Sequence, residues 1–216
     1  MPQINVFENY YQEYDDWFVN NNDIFTSELN TIKCLLPMTG KGIEIGVGTG
    51  QFASKLGITI GVEPSTKMSE IAKKRNIEVI IAKAESLPIE NEIYDYATMI
   101  TTICFVKDVE KALNEANRIL KSNGVFIIAF IDKDSDLGKI YQIKKASNKF
   151  YKNATFYSTT EIIKQLKKAN FKIDRINQCL FIKNGDIDAT EIKDNYGTGG
   201  FVVIKSIKTK EGEYIL

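Results

Sequence analysis

Histidine is missing altogether from the 216 residues of this chain. That absence excludes an imidazole general base, a Cys–His or Ser–His nucleophile pair and histidine metal ligands. Cysteine is scarce: Cys34, Cys104 and Cys179 are odd in number and far apart in sequence. Such usage points to reduced thiols in a cytoplasmic protein and argues against a disulfide framework or a zinc site, so no metal is expected. No apolar run approaches the ~20 residues that a membrane span needs. The start of the chain, Met1 to Tyr10, lacks the basic residues and apolar stretch of a secretory signal. Neither charge is in excess, with 28 basic and 28 acidic residues. The field that would recruit nucleic acid or an anionic membrane is therefore absent. Short basic runs at Lys73–Arg75, Lys144–Lys145 and Lys167–Lys168 fall opposite the apolar residues of helical patterns and read as solvated faces.

What remains is an ordinary globular composition, 44% hydrophobic and 26% charged, which argues against wholesale disorder. The length suits one sizeable core and is short for two domains. Strand and helix patterns alternate through the middle of the chain, the signature of a parallel sheet covered on both faces. Strands are expected at Ile43–Val47, Ile58–Val62, Glu78–Ala82, Tyr96–Ile100 and Val125–Ile131. Several are nearly continuous apolar runs, as strands buried on both faces should be. Met68, Ile71 and Ala72 make one helical stripe; Val109, Ala112, Leu113, Ala116, Ile119 and Leu120 make a stronger one, ended by Asn123-Gly124. Ser158-Thr-Thr-Glu161 fits a capping box opening the last helix. Phe171–Ile182 and Phe201–Ile207 then read as strands with no helix between, most simply antiparallel. The connection Lys183–Gly200 is long for a hairpin loop.

The most informative stretch is Gly42-Ile-Glu44-Ile-Gly46-Val-Gly48-Thr-Gly50, followed by Ile58–Val62, Glu63 and Pro64. It reads as a buried strand, a glycine-rich turn, a short helix, a second strand and an acid at that strand's carboxyl end. This is the opening of a nucleotide-binding βαβ unit, in which glycines admit a ligand close to backbone and the acid takes a ribose hydroxyl pair. A dinucleotide fingerprint would require glycine at position 51, where Gln51 stands, so a nicotinamide-dependent oxidoreductase is disfavoured.

With Glu44 two residues before the first loop glycine, the segment resembles motif I of the class I S-adenosylmethionine-dependent methyltransferases, of the small-molecule type 11 kind. Val62-Glu63-Pro64 resembles that family's ribose-binding acidic position, and Ala84-Glu85-Ser-Leu-Pro88 its adenine-contacting stretch. Tyr94-Asp95-Tyr96-Ala97 resembles the start of the fourth strand. Leu113-x-Glu115-x-x-Arg118-Ile-Leu-Lys121 with Gly124 resembles the helix and turn into the fifth. The resemblance covers about residues 42 to 130 and implies an α/β fold. That fold is a Rossmann-like three-layer sandwich around a seven-stranded, mostly parallel sheet with an antiparallel last strand. It implies a single domain over 1–216, with an N-terminal helical cap at 1–38 and a helical insertion at 135–157 after strand five.

The cofactor so implied is S-adenosyl-L-methionine, with S-adenosyl-L-homocysteine as product, and the partner is a small-molecule methyl acceptor. Cofactor-binding positions carried over are Glu44, Gly46, Val47, Gly48, Gly50, Glu63, Pro64, Ala84, Glu85, Ile100 and Thr101. Tyr14 and Trp17, in Tyr14-Asp-Asp-Trp-Phe18, resemble the cap segment and are the acceptor-side candidates. Lys83 departs from the family, since lysine cannot accept the adenine amino proton.

Each residue also has a plainer reading. The glycines could serve only a tight turn, Glu44 could fix the loop through backbone hydrogen bonds, and Glu63 could complement the dipole of the helix starting near Ser65. The aromatics of the cap and insertion could simply pack helices onto the sheet. Cys104 reads as a small buried apolar residue, because nothing nearby in sequence would lower its pKa. An S-adenosylmethionine-binding module of the same fold without turnover is the alternative function. Nucleic-acid methylation is not expected, since there is no basic stripe and no Pro-Pro-aromatic motif.

Overall fold

The structure is a computed structural model that describes residues 2–209; Met1 and residues 210–216, the ends of the expected domain span, lie outside the described residues. Three helices come first: α1 (Pro2–Asn9), α2 (Tyr11–Asn20) and α3 (Asn22–Lys33). The alternating core follows as β1 (Gly42–Ile45), α4 (Gln51–Leu56), β2 (Ile60–Val62), α5 (Thr66–Lys74), β3 (Glu78–Ile80), β4 (Tyr94–Ile100), α6 (Val109–Ile119) and β5 (Leu120–Ile131). After it come α7 (Asp136–Lys144), α8 (Thr159–Lys168), β6 (Phe171–Cys179), β7 (Phe181–Lys183), β8 (Asp186–Asp188), β9 (Lys193–Asp194) and β10 (Phe201–Lys208). No helix among the described residues is long and apolar enough to cross a membrane.

The main sheet has the order β3-β2-β1-β4-β5-β10-β6-β9. Strands β1 to β5 pair in parallel, whereas β10 lies antiparallel between β5 and β6. The antiparallel last strand is therefore as expected, and the sheet is a Rossmann-like α/β sandwich. The count differs: β9, two residues long, adds an eighth strand on the far edge of β6. Burial explains the composition of the middle strands. Phe126, Ile127, Ile128 and Ala129 of β5 are all fully buried, because helices or other packed segments cover both faces. Phe126 stacks on Phe171 of β6 with ring centroids 5.1 Å apart.

Local chemistry sets the helix starts. Ser65 caps α5 by accepting from the Met68 amide, Asp108 caps α6 through Lys111, and Ser158 with Glu161 forms the full capping box of α8. The buried face of α6 is Ala112, Leu113, Ala116 and Ile119, the spacing of one helical stripe.

Four expectations are corrected. Helix α6 does not run to Asn123-Gly124; it ends at Ile119, Leu120 is already extended, and Asn123 takes a left-handed φ of 61° inside the long strand β5. Phe171–Ile182 is not one strand, because Leu180 adopts φ 59° and breaks it into β6 and β7. The long Lys183–Gly200 connection contains structure of its own. Asn184 and Gly185 both have positive φ, the backbone of a tight type I′ hairpin joining β7 to β8. After strand five, helix extends only to Lys144, with one further tight turn at Lys145–Ser147; residues 148–157 are irregular.

Candidate active site

Strand order reverses between β1 and β4, and in open α/β sheets ligands bind beyond the carboxyl ends of strands at such a point. The loops leaving β1, β2, β3 and β4 converge there on a cleft of about 920 Å³, its mouth included. Gly46, Gly48, Glu63, Pro64, Ala84, Glu85, Thr101 and Tyr14 line it, so most of the expected positions come together from five separate elements.

The three loop glycines all have positive φ, 78° at Gly46, 56° at Gly48 and 82° at Gly50. Their surroundings differ. A Cβ on Gly46 would lie 2.3 Å from Thr102, and one on Gly50 would lie 2.4 Å from Ile77. Both glycines are thus required by packing. A Cβ on Gly48 would meet only ordinary contacts, Met68 at 3.5 Å and Tyr14 at 3.7 Å, and would project into the cleft. Gly48 is therefore the position where backbone is left open to a ligand.

Glu63 follows β2 and is 7% exposed. Its carboxylate accepts the Gly48 amide at 3.0 Å and the Ser65 amide at 2.9 Å, one bond to each oxygen. A carboxylate offers about four acceptor sites, so two stay free for a pair of hydroxyls. Burial pushes its pKa up to about 7, partly offset by the Ser65 and Gly48 amides, with Glu8 adding a smaller upward push. Glu63 thus braces the loop and keeps acceptor capacity toward the cleft.

Glu44 does not line the cleft. It lies beneath the loop, 2% exposed, and its Oε2 has no hydrogen-bond partner among the described residues. Burial, then the nearby charge of Glu63, hold its pKa well above the ordinary carboxylate value. Such an orphaned acceptor fits a cationic amino group brought close from the cleft side. Val47, Gly50 and Ile100 likewise stay behind the lining. Val47 and Ile100 are buried in core clusters, and Gly50 opens α4 against Ala72 and Ile77.

Thr101 closes β4 with φ 49°, an uncommon conformation for a β-branched residue and one that concentrates at functional sites. Its neighbour Thr102 donates to the carbonyls of Ile100 and Gly46, at 2.9 and 3.2 Å, tying the ends of β4 and β1 together. Glu85 lines the cleft, but its carboxylate accepts the amides of Lys107 and Asp108 at 2.9 and 3.4 Å and so fastens the segment after β4. Glu115 is a fastener of the same kind. It accepts the Leu87 amide at 2.7 Å and pairs with Arg118, which itself reaches the carbonyls of Leu87 and Ile89. Cys104 is buried, and burial raises its thiol to about 12, which leaves it protonated.

The N-terminal helices close the site from above. Tyr14 of α2 stands over Gly48 with Phe7 of α1 edge-on at 5.6 Å. Burial raises the Tyr14 pKa, with Thr101 lowering it and Glu63, Glu44 and Glu28 raising it further, so the phenol is neutral. Helix α2 is clamped to the glycine loop through Asp15, which accepts from Gln51 at 2.8 Å and pairs with Arg75 at 2.8 Å; Arg75 also donates to the Thr49 carbonyl at 3.0 Å. Gln51, the residue that breaks the dinucleotide pattern, is thus part of this clamp. Helix α1 is held at the start of α5 by Glu8, which accepts from the Ser65 hydroxyl at 2.5 Å.

Beside the cleft opens a second, larger cavity of about 2540 Å³, mouth included. The two share Phe7, Tyr14, Thr101 and Phe105 as a common wall. Trp17 faces this second space and not the first, packed edge-on against Phe18 at 5.2 Å. Sequence reasoning did not assign Phe7, Met68, Phe105 or Lys107 to the cleft, nor Glu28 to the larger cavity.

Known proteins resemble this chain over most of its length. Residues 43–128 match the family described as the methyltransferase domain. The chain is 46% identical to a crystal structure from Thermotoga maritima, covering 95% of this chain and 99% of that one, with a TM-score of 0.89. That protein is described as an S-adenosylmethionine-dependent methyltransferase, "possible histamine N-methyltransferase". The chain belongs to the class I S-adenosylmethionine-dependent methyltransferases. An uncharacterized protein of Methanocaldococcus jannaschii is 46% identical over 95% of this chain and its own full length. A ubiquinone/menaquinone biosynthesis C-methyltransferase of Campylobacter jejuni is 30% identical over 52% of this chain and 57% of its own. The methyltransferase uses S-adenosyl-L-methionine, and the residues at the strand ends fit it: an orphaned buried carboxyl, a glycine open to the cleft and an acid with spare acceptor capacity.

Proposed function

We propose that this methyltransferase acts on a small molecule held in the larger cavity, with transfer taking place across the wall formed by Phe7, Tyr14, Thr101 and Phe105. The observation that carries this reading is that shared wall: two adjoining cavities meet at four residues. S-adenosylmethionine supplies a methyl group already activated by a positively charged sulfur. The protein therefore has to orient and desolvate, and holding two reactants in line is worth up to about 7–11 kcal/mol.

The residues divide the work between them. Glu63 receives the ribose hydroxyls and holds Gly48 in place. Gly46 and Gly48 offer backbone to the methionine portion, and Glu44 faces its amino group from beneath the loop. Pro64, Ala84 and Glu85 bound the nucleoside end, with Val47, Gly50 and Ile100 supporting the loop and strand end from behind. Tyr14 and Phe105 exclude water, and their ring faces favour a cation at the wall. Tyr14 and Trp17 shape the acceptor side. With no histidine in the chain, an acceptor that needs deprotonation does not lose its proton to an imidazole. The description of the Thermotoga protein as a possible histamine N-methyltransferase supports a small-molecule acceptor.

The test is methyl release from labelled cofactor with candidate acceptors, beside calorimetric titration of S-adenosylhomocysteine. Tight product binding with transfer to small molecules is the expected result. Transfer confined to protein or nucleic acid would overturn it.

A further inference from the structure

One buried carboxyl has no part in holding the cofactor. Glu28 lies on the buried face of α3 with Phe25, Leu29 and Ile32, beside the buried hydroxyl residues Ser27 and Thr31. It is 5% exposed, lines the larger cavity, and forms no hydrogen bond or ion pair with any described residue. A carboxyl on the buried face of a helix is costly to bury and would ordinarily be exchanged for Leu or Met unless something pairs with it. Among the described residues nothing does so. The basic residues along the cavity, Lys144 and Lys149, are exposed, and Lys149 is engaged by Glu13 at 2.6 Å. Three aromatic rings of the same wall, Tyr14, Tyr141 and Tyr151, are close enough for the charge of Glu28 to act on them. A carboxylate set among aromatic rings is the surrounding that receives an organic cation.

We propose that Glu28 is the specificity-determining residue of the acceptor site, and that the acceptor is a small molecule carrying a protonated nitrogen which pairs with its carboxylate. This rests on the reading of the larger cavity as the acceptor site. Glu28 is not a cofactor contact; it selects and positions the acceptor.

Protonation supplies a signature. Burial alone raises the Glu28 pKa to about 8, so at pH 7 the free carboxyl is mostly protonated. The titratable side chains that sense it are Tyr14 on α2, Tyr141 on α7, Tyr151 in the segment after α7 and Cys179 on β6. Burial raises every one of these, which keeps them neutral. An ammonium entering the cavity therefore displaces the Glu28 proton, and about one proton leaves per amine bound at pH 7.

The experiment is calorimetry on the protein saturated with S-adenosylhomocysteine, titrated with phenethylamine, histamine and the uncharged 2-phenylethanol. Repeating each titration at pH 7 in buffers of different ionisation enthalpy counts the protons. The expected result is that at least one amine binds, that 2-phenylethanol binds at least about tenfold more weakly, and that Glu28→Gln weakens the amine by about 10- to 100-fold. The proton release should vanish in Glu28→Gln while S-adenosylhomocysteine affinity stays as in the wild type; Glu28→Asp should recover part of the selectivity. Amines that fail to bind, or that bind Glu28→Gln as tightly and with the same proton release, would overturn the inference. If S-adenosylhomocysteine binds and the amines do not, only the role of Glu28 falls. If S-adenosylhomocysteine itself fails to bind, the underlying reading falls with it.

Discussion

Substituting alanine at Gly48 and at Gly50, one at a time, separates a glycine needed by the ligand from one needed by the fold. Both residues have left-handed φ, 56° and 82°, so either alanine pays about 1–2 kcal/mol of backbone strain. At Gly50 the new methyl would also stand 2.4 Å from Ile77 Cδ1 and 3.3 Å from the Ala72 backbone. Overpacking of that kind costs about 1–3 kcal/mol more. At Gly48 the nearest atom is 3.5 Å away, so no packing penalty arises in the free protein. For a chain of this size each kcal/mol lowers Tm by about 2–4 °C. Gly50→Ala should therefore lose roughly 4–20 °C and Gly48→Ala roughly 2–8 °C. Cofactor affinity should order the other way. The Gly48 methyl projects into the cleft, and crowding a ligand there by about 1–3 kcal/mol weakens S-adenosylhomocysteine about 5- to 150-fold. Gly50→Ala, once folded, should bind as the wild type does. Thermal unfolding and calorimetric titration of the two variants decide it. If Gly48→Ala binds normally and Gly50→Ala does not, the roles of the two glycines are the reverse.

Glu63→Ala leaves the Gly48 and Ser65 amides without an acceptor and removes the proposed ribose contact, so S-adenosylhomocysteine should weaken by about 1.5–3 kcal/mol in calorimetry; unchanged affinity in a folded variant would take Glu63 out of the site. Glu28, Glu63 and Glu44 all have raised pKa values, about 8, about 7 and well above normal, so the native state holds protons that the unfolded chain has released. Their contribution is full below about pH 4.5, the unfolded value, and is lost as pH rises through about 7 to 8, so Tm of the ligand-free protein should climb from pH 8 toward pH 5.5, each group giving a slope of up to about 1.4 kcal/mol per pH unit; a Tm that falls over that range would reverse the sign. Asp15→Ala releases Gln51 and Arg75 and so frees α2 from the glycine loop; Tm should drop by a few degrees, about 1–3 kcal/mol of stability, and S-adenosylhomocysteine should dissociate faster in stopped-flow fluorescence. Trp17→Ala empties part of the larger cavity only, so the acceptor KM and kcat should suffer while cofactor affinity holds; wild-type kinetics would return that ring to ordinary helix packing.

The parts legible in the sequence are those where one residue answers to one local rule. The β1 loop is readable because only glycine tolerates three positive φ values within five residues. The α8 capping box is readable because Ser158 and Glu161 satisfy each other's backbone partners three residues apart. The β7–β8 hairpin carries such a signal too, Asn184-Gly185 between Phe181-Ile-Lys183 and Asp186-Ile-Asp188, but it is hidden within a long polar stretch. The break at Leu180 has none, since leucine at positive φ is imposed by tertiary packing, including the bond from the Gly200 amide to its carbonyl. Within the site, Gly46, Gly48 and Glu63 can be placed because they lie within a single βαβ unit. Phe7, Phe105 and Lys107 cannot, because their position depends on how distant segments fold over the strand ends.

Glu28 shows what separates the two halves of the site. Cofactor recognition is built at strand ends, where the parallel sheet dictates direction and spacing, so a motif survives in the sequence. The larger cavity, the proposed acceptor side, is lined from α2, α3, α7, the 148–157 segment and the β7–β8 hairpin, which share no register with one another. No fixed spacing links them, and only an anomaly in residue type can reveal them. Phe25-x-x-Glu28-Leu29-x-x-Ile32 is such an anomaly: an acid among the buried positions of a helix, beside the smaller polar residues Ser27 and Thr31. In a helix packed against β6 and α4, an ionisable group at a buried position is kept only at a cost to stability. Replacing it with a neutral residue of similar size therefore carries opposite expectations for stability and for recognition. Glu28→Gln should leave Tm equal or higher at pH 8, where the wild-type carboxyl must begin to ionise in the core, yet it should lose the amine. A variant that is less stable at pH 8 and still binds amines would mean that Glu28 serves the fold and not the acceptor.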